Sequence, residues 1–171
     1  MKFESLGAEE KKMIKHVEKN NIFVLETKSF HYVLGIDGAG FNRHIHWGEK
    51  CDVNDYEFEA VHGISSNDPA LNGIKQEITP FGSTMYRECD IKARFEDGCR
   101  EIFLVYRGFE QNGDTLKLHF EDEYYPLGVT LCYEVFEEYD IIKRYVTLTN
   151  TGSNDIVFER IFSAEFTLPS S

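Results

Sequence analysis

Basic residues are the first shortage in this chain. Eighteen Lys and Arg stand against 30 Asp and Glu, for a formal net charge of −12. Such a surface repels phosphate backbones and anionic bilayers, so neither nucleic acid nor a membrane is an expected partner, whereas a neutral ligand such as a sugar suits it. Long apolar runs are also missing. Nothing approaches the ~18 residues of a membrane span. The opening Met1-Lys2-Phe3-Glu4-Ser5-Leu6-Gly7 never reaches the apolar stretch of ~7–15 residues that marks a secretory leader. The four cysteines, Cys51, Cys89, Cys99 and Cys132, form no C-x-x-C pair, which removes the usual zinc spacing and fits reduced thiols in a cytoplasmic protein. G-x-S-x-G, a phosphate-cradling glycine loop and H-E-x-x-H are all absent. There is no internal repeat and no low-complexity segment.

What is present favours strands. Apolar residues make up 42% of the 171, with 14 Phe and 9 Tyr, enough for a packed core and rich in the residue types that fit a pleated surface. Residues 8–19 are charged and helix-permissive, with Met13, Ile14 and Val17 in a narrow apolar stripe, and predict one short helix. Residues 1–20 are taken as an N-terminal helical segment and 21–171 as the β-sandwich domain. From Ile22 the period becomes two. Strands are expected over 22–27, 30–36, 41–47, 74–79, 90–95, 99–109, 115–122, 127–138, 141–150 and 156–168. Asp37-Gly38-Ala39-Gly40, Asp97-Gly98 (as a two-residue hairpin turn), Asn112-Gly113 and Asn150-Thr151-Gly152 punctuate them. Val129, Leu131, Tyr133 and Val135 share one face. Ile142, Val146 and Leu148 share another, interrupted by Arg144. Phe158, Ile161, Phe162 and Phe166 break register, which predicts a bulge or burial on both sides. The expected architecture is an all-β, antiparallel β-sandwich. Residues 48–73 are irregular, and a loop of that length inside a compact domain is the first place to seek a site.

Individual constellations are weak. His44-x-His46 would put two imidazoles on one strand face, within reach of a shared metal, but no further ligand has a telling spacing. Paired carboxylates, the tools of glycoside hydrolysis, occur everywhere by chance among 30 acidic residues. Trp47, the single tryptophan, stands at the mouth of the long loop with Asp52 and Asp55 just beyond. An indole face can stack on a sugar ring while a nearby carboxylate accepts from hydroxyls.

Pro80-Phe81-Gly82-Ser83-Thr84-Met85-Tyr86-Arg87-Glu88 resembles the "fGxxDYR" segment of the family 36 α-galactosidases, with Met85 where that family has Asp. Phe23-Val24-Leu25-Glu26-Thr27 followed by Tyr32 is similar to its opening "FxLxTxxxxY". Gly40 to Gly48 resembles "GxLxHLYYG", and Leu131 to Phe136 with Asp140 to Arg144 resembles "LxYxVFxxxDVIxR". Asn150-Thr151-Gly152 and Arg160-Ile161-Phe162-Ser163 follow in the family's order. The resemblance implies a sandwich of the supersandwich, galactose mutarotase-like type, placed before a (β/α)₈ barrel that carries both catalytic aspartates. No catalytic residue then falls in this chain, and its abrupt end is expected to precede that barrel. In tetrameric members this domain lends a loop to a neighbour's active site. The matching candidates for contact with the substrate edge are Trp47, Asp55, Tyr56 and Arg87. Implied partners are galactose-containing oligosaccharides, the chain's own barrel and further copies in a homo-oligomer, and no metal or organic cofactor is implied. The alternatives are a stand-alone carbohydrate-binding module, an aldose epimerase-like enzyme and a purely structural oligomerisation domain.

Overall fold

The computed structural model describes residues 12–58, 75–82 and 88–164, and among these, ten strands are seen, eight of them in two facing antiparallel layers. They are β1 (Ile14–Val17), β2 (Ile22–Glu26), β3 (Phe30–Ile36), β4 (Asn42–Glu49), β5 (Ile91–Arg94), β6 (Leu104–Asn112), β7 (Thr115–Asp122), β8 (Leu127–Phe136), β9 (Ile141–Asn150) and β10 (Val157–Ile161). One sheet runs β1-β2-β3-β4 and the facing one β6-β7-β8-β9, with β5 and β10 forming a two-stranded ribbon. Residues 75–80 link the first sheet to that ribbon. Arg43 bridges Gln76 antiparallel, and Pro80 bridges Ile91 in parallel. The sandwich expected from the alternating pattern is the architecture observed.

The burial pattern follows from the period of two. On β7, Leu116, Leu118 and Phe120 are buried while Lys117 and His119 turn outward, and on β8 Val129, Leu131, Tyr133 and Val135 enter the core. They meet Phe23, Leu25 and Leu34 from the first sheet and Ile78, Ile91 and Ala93 from the linking segment and ribbon. The unbroken apolar run of β2 has a separate cause. Its alternate residues, Ile22 and Val24, pack with Val33 and Tyr56 in a second, smaller core on the outer face of the first sheet, so β2 is buried on both sides.

The N-terminal helix is a correction. Over Ile14–Val17 the chain is strand β1, paired with β2 from Ile14↔Leu25 to Val17↔Ile22, and residues 1–11 lie outside the described residues. Each residue of β1 has a ladder partner on β2, and Ile14 is buried in the main core, whereas a three-residue stripe gives a lone helix little to bury. Among the described residues of this segment, Glu18–Asn20 alone turn helically, as a 3₁₀ turn closed by Asn21 at φ 52°. The β8–β9 connection repeats the device with the 3₁₀ turn Glu137–Tyr139 and Asp140 at φ 52°. Asn and Asp are the non-glycine residues that best tolerate this left-handed region.

Three smaller differences accompany it. The hairpin at Asp97-Gly98 has three loop residues, closed by Phe95 N donating to Cys99 O and Gly98 at φ +83°. Residues 99–103 stay outside the ladder, so β6 starts later than expected. Of the strand expected over 74–79, residue 74 lies outside the described residues, and 75–80 contribute isolated bridges rather than a strand. The irregular register at the end is a bulge between Phe158 and Arg160, and the expected strand beyond residue 164 lies outside the described residues.

Candidate functional site

A bulge in β4 decides which side chains meet. Tyr32 pairs with Trp47 and Val33 with His46, but Leu34 pairs with His44, so Ile45 is an extra residue. An extra residue reverses the alternation of faces. His44 therefore packs on Tyr32 inside the sandwich, ring centroids 5.0 Å apart, while His46 packs on Tyr56 at the outer core, 5.3 Å apart. The shared face expected for His44-x-His46 is overturned. His46 Nε2 pairs with Glu49 O at 2.9 Å, and the described residues contain no group of three metal-ligand side chains.

His44 points instead at Glu77, which is 1% exposed. Its carboxylate collects donors from both layers. The Tyr32 hydroxyl lies 3.0 and 2.9 Å from the two oxygens, the Tyr133 hydroxyl 2.6 Å from Oε2, and His44 Nδ1 2.8 Å from Oε1. Because an ionised carboxylate only accepts, Nδ1 must carry the imidazole proton. Arg144 Nε stands 3.7 Å from Oε2, and its Nη2 donates to the Glu77 carbonyl. Backbone bonds fix the segment that presents Glu77: His44 N donates to Lys75 O, Glu77 N to Asn42 O, and Ile78 N to the Asn42 side chain. Four strands, β3, β4, β8 and β9, thus converge on one residue.

Electrostatics follow from that geometry. Burial alone pushes the Glu77 carboxyl up, but the Arg144 charge and the His44 and Tyr133 hydrogen bonds outweigh it and hold the group below the usual carboxylate range. Burial, together with the facing Glu77 charge, pushes both tyrosine hydroxyls up and keeps them as donors. A charge shielded from solvent and surrounded by donors is a poor base and a poor nucleophile. Its chemistry is that of a clasp between layers.

Acid should open this clasp. Glu26, at the end of β2, is pushed up by burial but pulled further down by Lys50 at 3.0 Å and Lys15 at 3.1 Å, to about 2 from an ordinary 4.5. For both carboxyls the folded value lies below the unfolded one. The stability they contribute is therefore complete above the unfolded pKa near 4.5 and is lost as pH falls through the folded value. Urea midpoints are expected to hold level down to about pH 5 and to drop steadily below it. A midpoint that rises on acidification contradicts the assignment.

The four residues singled out from sequence occupy different settings. Trp47 is 54% exposed and sets its ring edge against Tyr32, centroids 6.1 Å apart at 62°. Tyr56 is buried under the outer face, its hydroxyl 2.9 Å from His31 Nδ1 and accepting from Cys51 N at 3.3 Å. Asp55 ends the exposed 3₁₀ turn Val53–Asp55, which Asp52 caps by accepting from Asn54 N at 2.9 Å. Arg87 lies outside the described residues. Trp47 and Tyr56 thus sit on opposite faces of the first sheet. Sequence reasoning missed Glu77, Tyr32, Tyr133 and the pairing role of Arg144. The one visible signal was a cation interrupting the apolar row of β9.

Residues 40–171 match the family model described as the glycosyl hydrolase family 36 N-terminal domain. The chain is similar to the bifunctional alpha-galactosidase/sucrose kinase AgaSK of Mediterraneibacter gnavus, 29% identical across 84% of this chain and 18% of that protein. It is also similar to a probable alpha-galactosidase C of Aspergillus terreus, 34% identical across 72% of this chain and 19% of that protein. Among solved structures, the galactosidase domain of AgaSK superposes with a TM-score of 0.76 at 27% identity, covering 88% of this chain and 25% of that one. The GH36 alpha-galactosidase AgaB from Geobacillus stearothermophilus shares the fold, with a TM-score of 0.77 at 21% identity over 88% of this chain and 24% of that one. The chain therefore spans a quarter or less of the length of these relatives. Among the described residues, no helix is long and apolar enough to cross a membrane.

Proposed function

Because the chain belongs to the glycosyl hydrolase family 36 N-terminal domain family, we propose that it is the accessory β-sandwich of an α-galactosidase, bordering a sugar site whose bond-breaking carboxylates belong to a following (β/α)₈ barrel. The reaction it serves is retaining hydrolysis of terminal α-galactosides. A carboxylate attacks the anomeric carbon, a glycosyl-enzyme forms, and water releases galactose. The domain's contribution is shape, a docking surface for the barrel and contacts within a homo-oligomer in the cytoplasm, where Trp47, Asp55 and Arg87 border the substrate and Tyr56 supports them from beneath. The family match over residues 40–171 is the observation that carries this reading. Two further features support it. Trp47 is exposed, as a stacking platform must be. Tyr56 is buried, so its part is to anchor the loop that presents Asp55.

An epimerase-like activity needs an acid and a base open to the sugar. In the carboxylate–imidazole pair of Glu77 and His44, the imidazole is partly exposed but the carboxylate is buried and held ionised by its donors, so it is not open to a sugar, which weighs against that alternative.

The test is made in the full-length enzyme. Trp47→Ala is expected to raise KM for p-nitrophenyl α-galactoside about three- to tenfold, the worth of one aromatic contact, with kcat little changed. Asp55→Ala should raise KM or lower kcat. The 171-residue chain should release no p-nitrophenol alone. Hydrolysis by the isolated chain, or unchanged constants in both variants, sinks the proposal.

A further inference from the structure

We propose that Tyr32 is a positioning residue for Trp47, transmitting the rigidity of the buried Glu77 cluster to the exposed indole. The inference rests on the reading of Trp47 as a sugar contact, and it names what makes that contact ready to bind.

An exposed tryptophan on an edge strand has two side-chain torsions to lose when a ligand stacks on it. Ordering one such side chain weakens binding by about two- to tenfold unless it is held beforehand. In this chain the holding surface is specific. Tyr32 is the register partner of Trp47 across β3 and β4, and their rings meet edge to face at 6.1 Å. Tyr32 itself has little freedom. It is 5% exposed, with the His44 ring 5.0 Å away and the Tyr133 ring 6.1 Å away. Its hydroxyl is tied to a carboxylate that Tyr133 and His44 also grip. The bulge at Ile45 returns both His44 and Trp47 to the Tyr32 side of the sheet. Without that extra residue, His44 and Trp47 would lie on opposite faces and the tyrosine could not touch both.

Trp47 is the sole tryptophan of the chain, so the fluorescence of the isolated 171-residue chain reports this one position, while sugar binding is measured in the full-length enzyme. Tyr32→Phe keeps the ring and cuts the tether to Glu77. With far-UV circular dichroism confirming the fold, the variant is expected to show a larger fast component of Trp47 anisotropy decay and about two- to tenfold weaker binding of methyl α-galactoside. Tyr125→Phe, which removes a hydroxyl bonded to Asp97 instead, should change neither. Should Tyr32→Phe fail to fold, Arg144→Lys loosens Glu77 from the far layer and is expected to give the same changes at smaller size. The arms separate the two ideas. If Trp47→Ala weakens sugar binding while the tether variant leaves both anisotropy and affinity unchanged, positioning by Tyr32 is wrong and the sugar-contact reading survives. If the tether variant frees the indole but Trp47→Ala leaves sugar binding intact, the positioning stands and the sugar-contact reading fails.

Discussion

Glu77→Gln lowers the stability of the chain by about 3–5 kcal/mol, the usual cost of removing one partner from a buried ion pair. The substitution barely changes volume, so packing is not what is lost. The amide has no charge to offset Arg144, and its NH₂ presents donors where Tyr133 and Oε2 meet at 2.6 Å. At least one of the Tyr133, Tyr32 and His44 donors is then left without its carboxylate acceptor in a largely buried site. Urea unfolding should show a lower midpoint with an unchanged slope, and the melting temperature should fall by about 10 °C or more for a chain of this size. The double variant Glu77→Met with Arg144→Met gives the complementary result. Removing both charges takes away the desolvation cost together with the attraction, so part of the loss should return. A Glu77→Gln loss below about 1 kcal/mol would mean that water reaches the carboxylate.

Phe23→Ala costs about 3–5 kcal/mol on the opposite side of the sandwich. Phe23 is wholly buried, stacked on His16 of β1 at 4.5 Å and set edge-on to Phe109 of β6 at 4.9 Å. It therefore ties β1 and β2 to the facing layer. Gln111 adds one hydrogen bond across the same seam, donating to Ile14 O at 2.9 Å. Removing the ring leaves a cavity between two layers whose backbones are fixed by their own ladders and cannot collapse into it. Amide exchange should report the same event locally, with the Ile14–Val17 amides losing protection before those of β7 and β8. Equal protection across all three strands would show that the seam is held by something other than Phe23.

These two residues differ in how visible they were in the sequence. Phe23 lies in an apolar run whose strand character was plain, and β3 and β7 were bounded to the residue by their alternation and turn chemistry. Strand β1 was not legible, because Met13, Ile14 and Val17 fit a helical spacing as well as an extended one, and pairing with β2 settled the matter. Glu77 was still less legible. Its segment forms only isolated bridges, and its partners come from four separate strands, so no local pattern could announce it. Arg144 was noticed as an interruption in an apolar row, but the residue it pairs with lies 67 positions earlier. Trp47 drew attention by being unique and was found exposed, yet the bulge that orients it is one surplus residue, which composition and period do not reveal.

The clasp also bears on the order in which the molecule assembles. Hairpins such as β6–β7 and β8–β9 close short loops and form early, whereas the Glu77 contacts to Tyr133 and Arg144 span 56 and 67 residues and await the meeting of both layers. Interactions absent from the folding transition state act almost wholly on the rate of escape from the native basin. The buried carboxylate therefore governs chiefly how long the sandwich, once closed, stays closed, and only slightly how quickly it is reached.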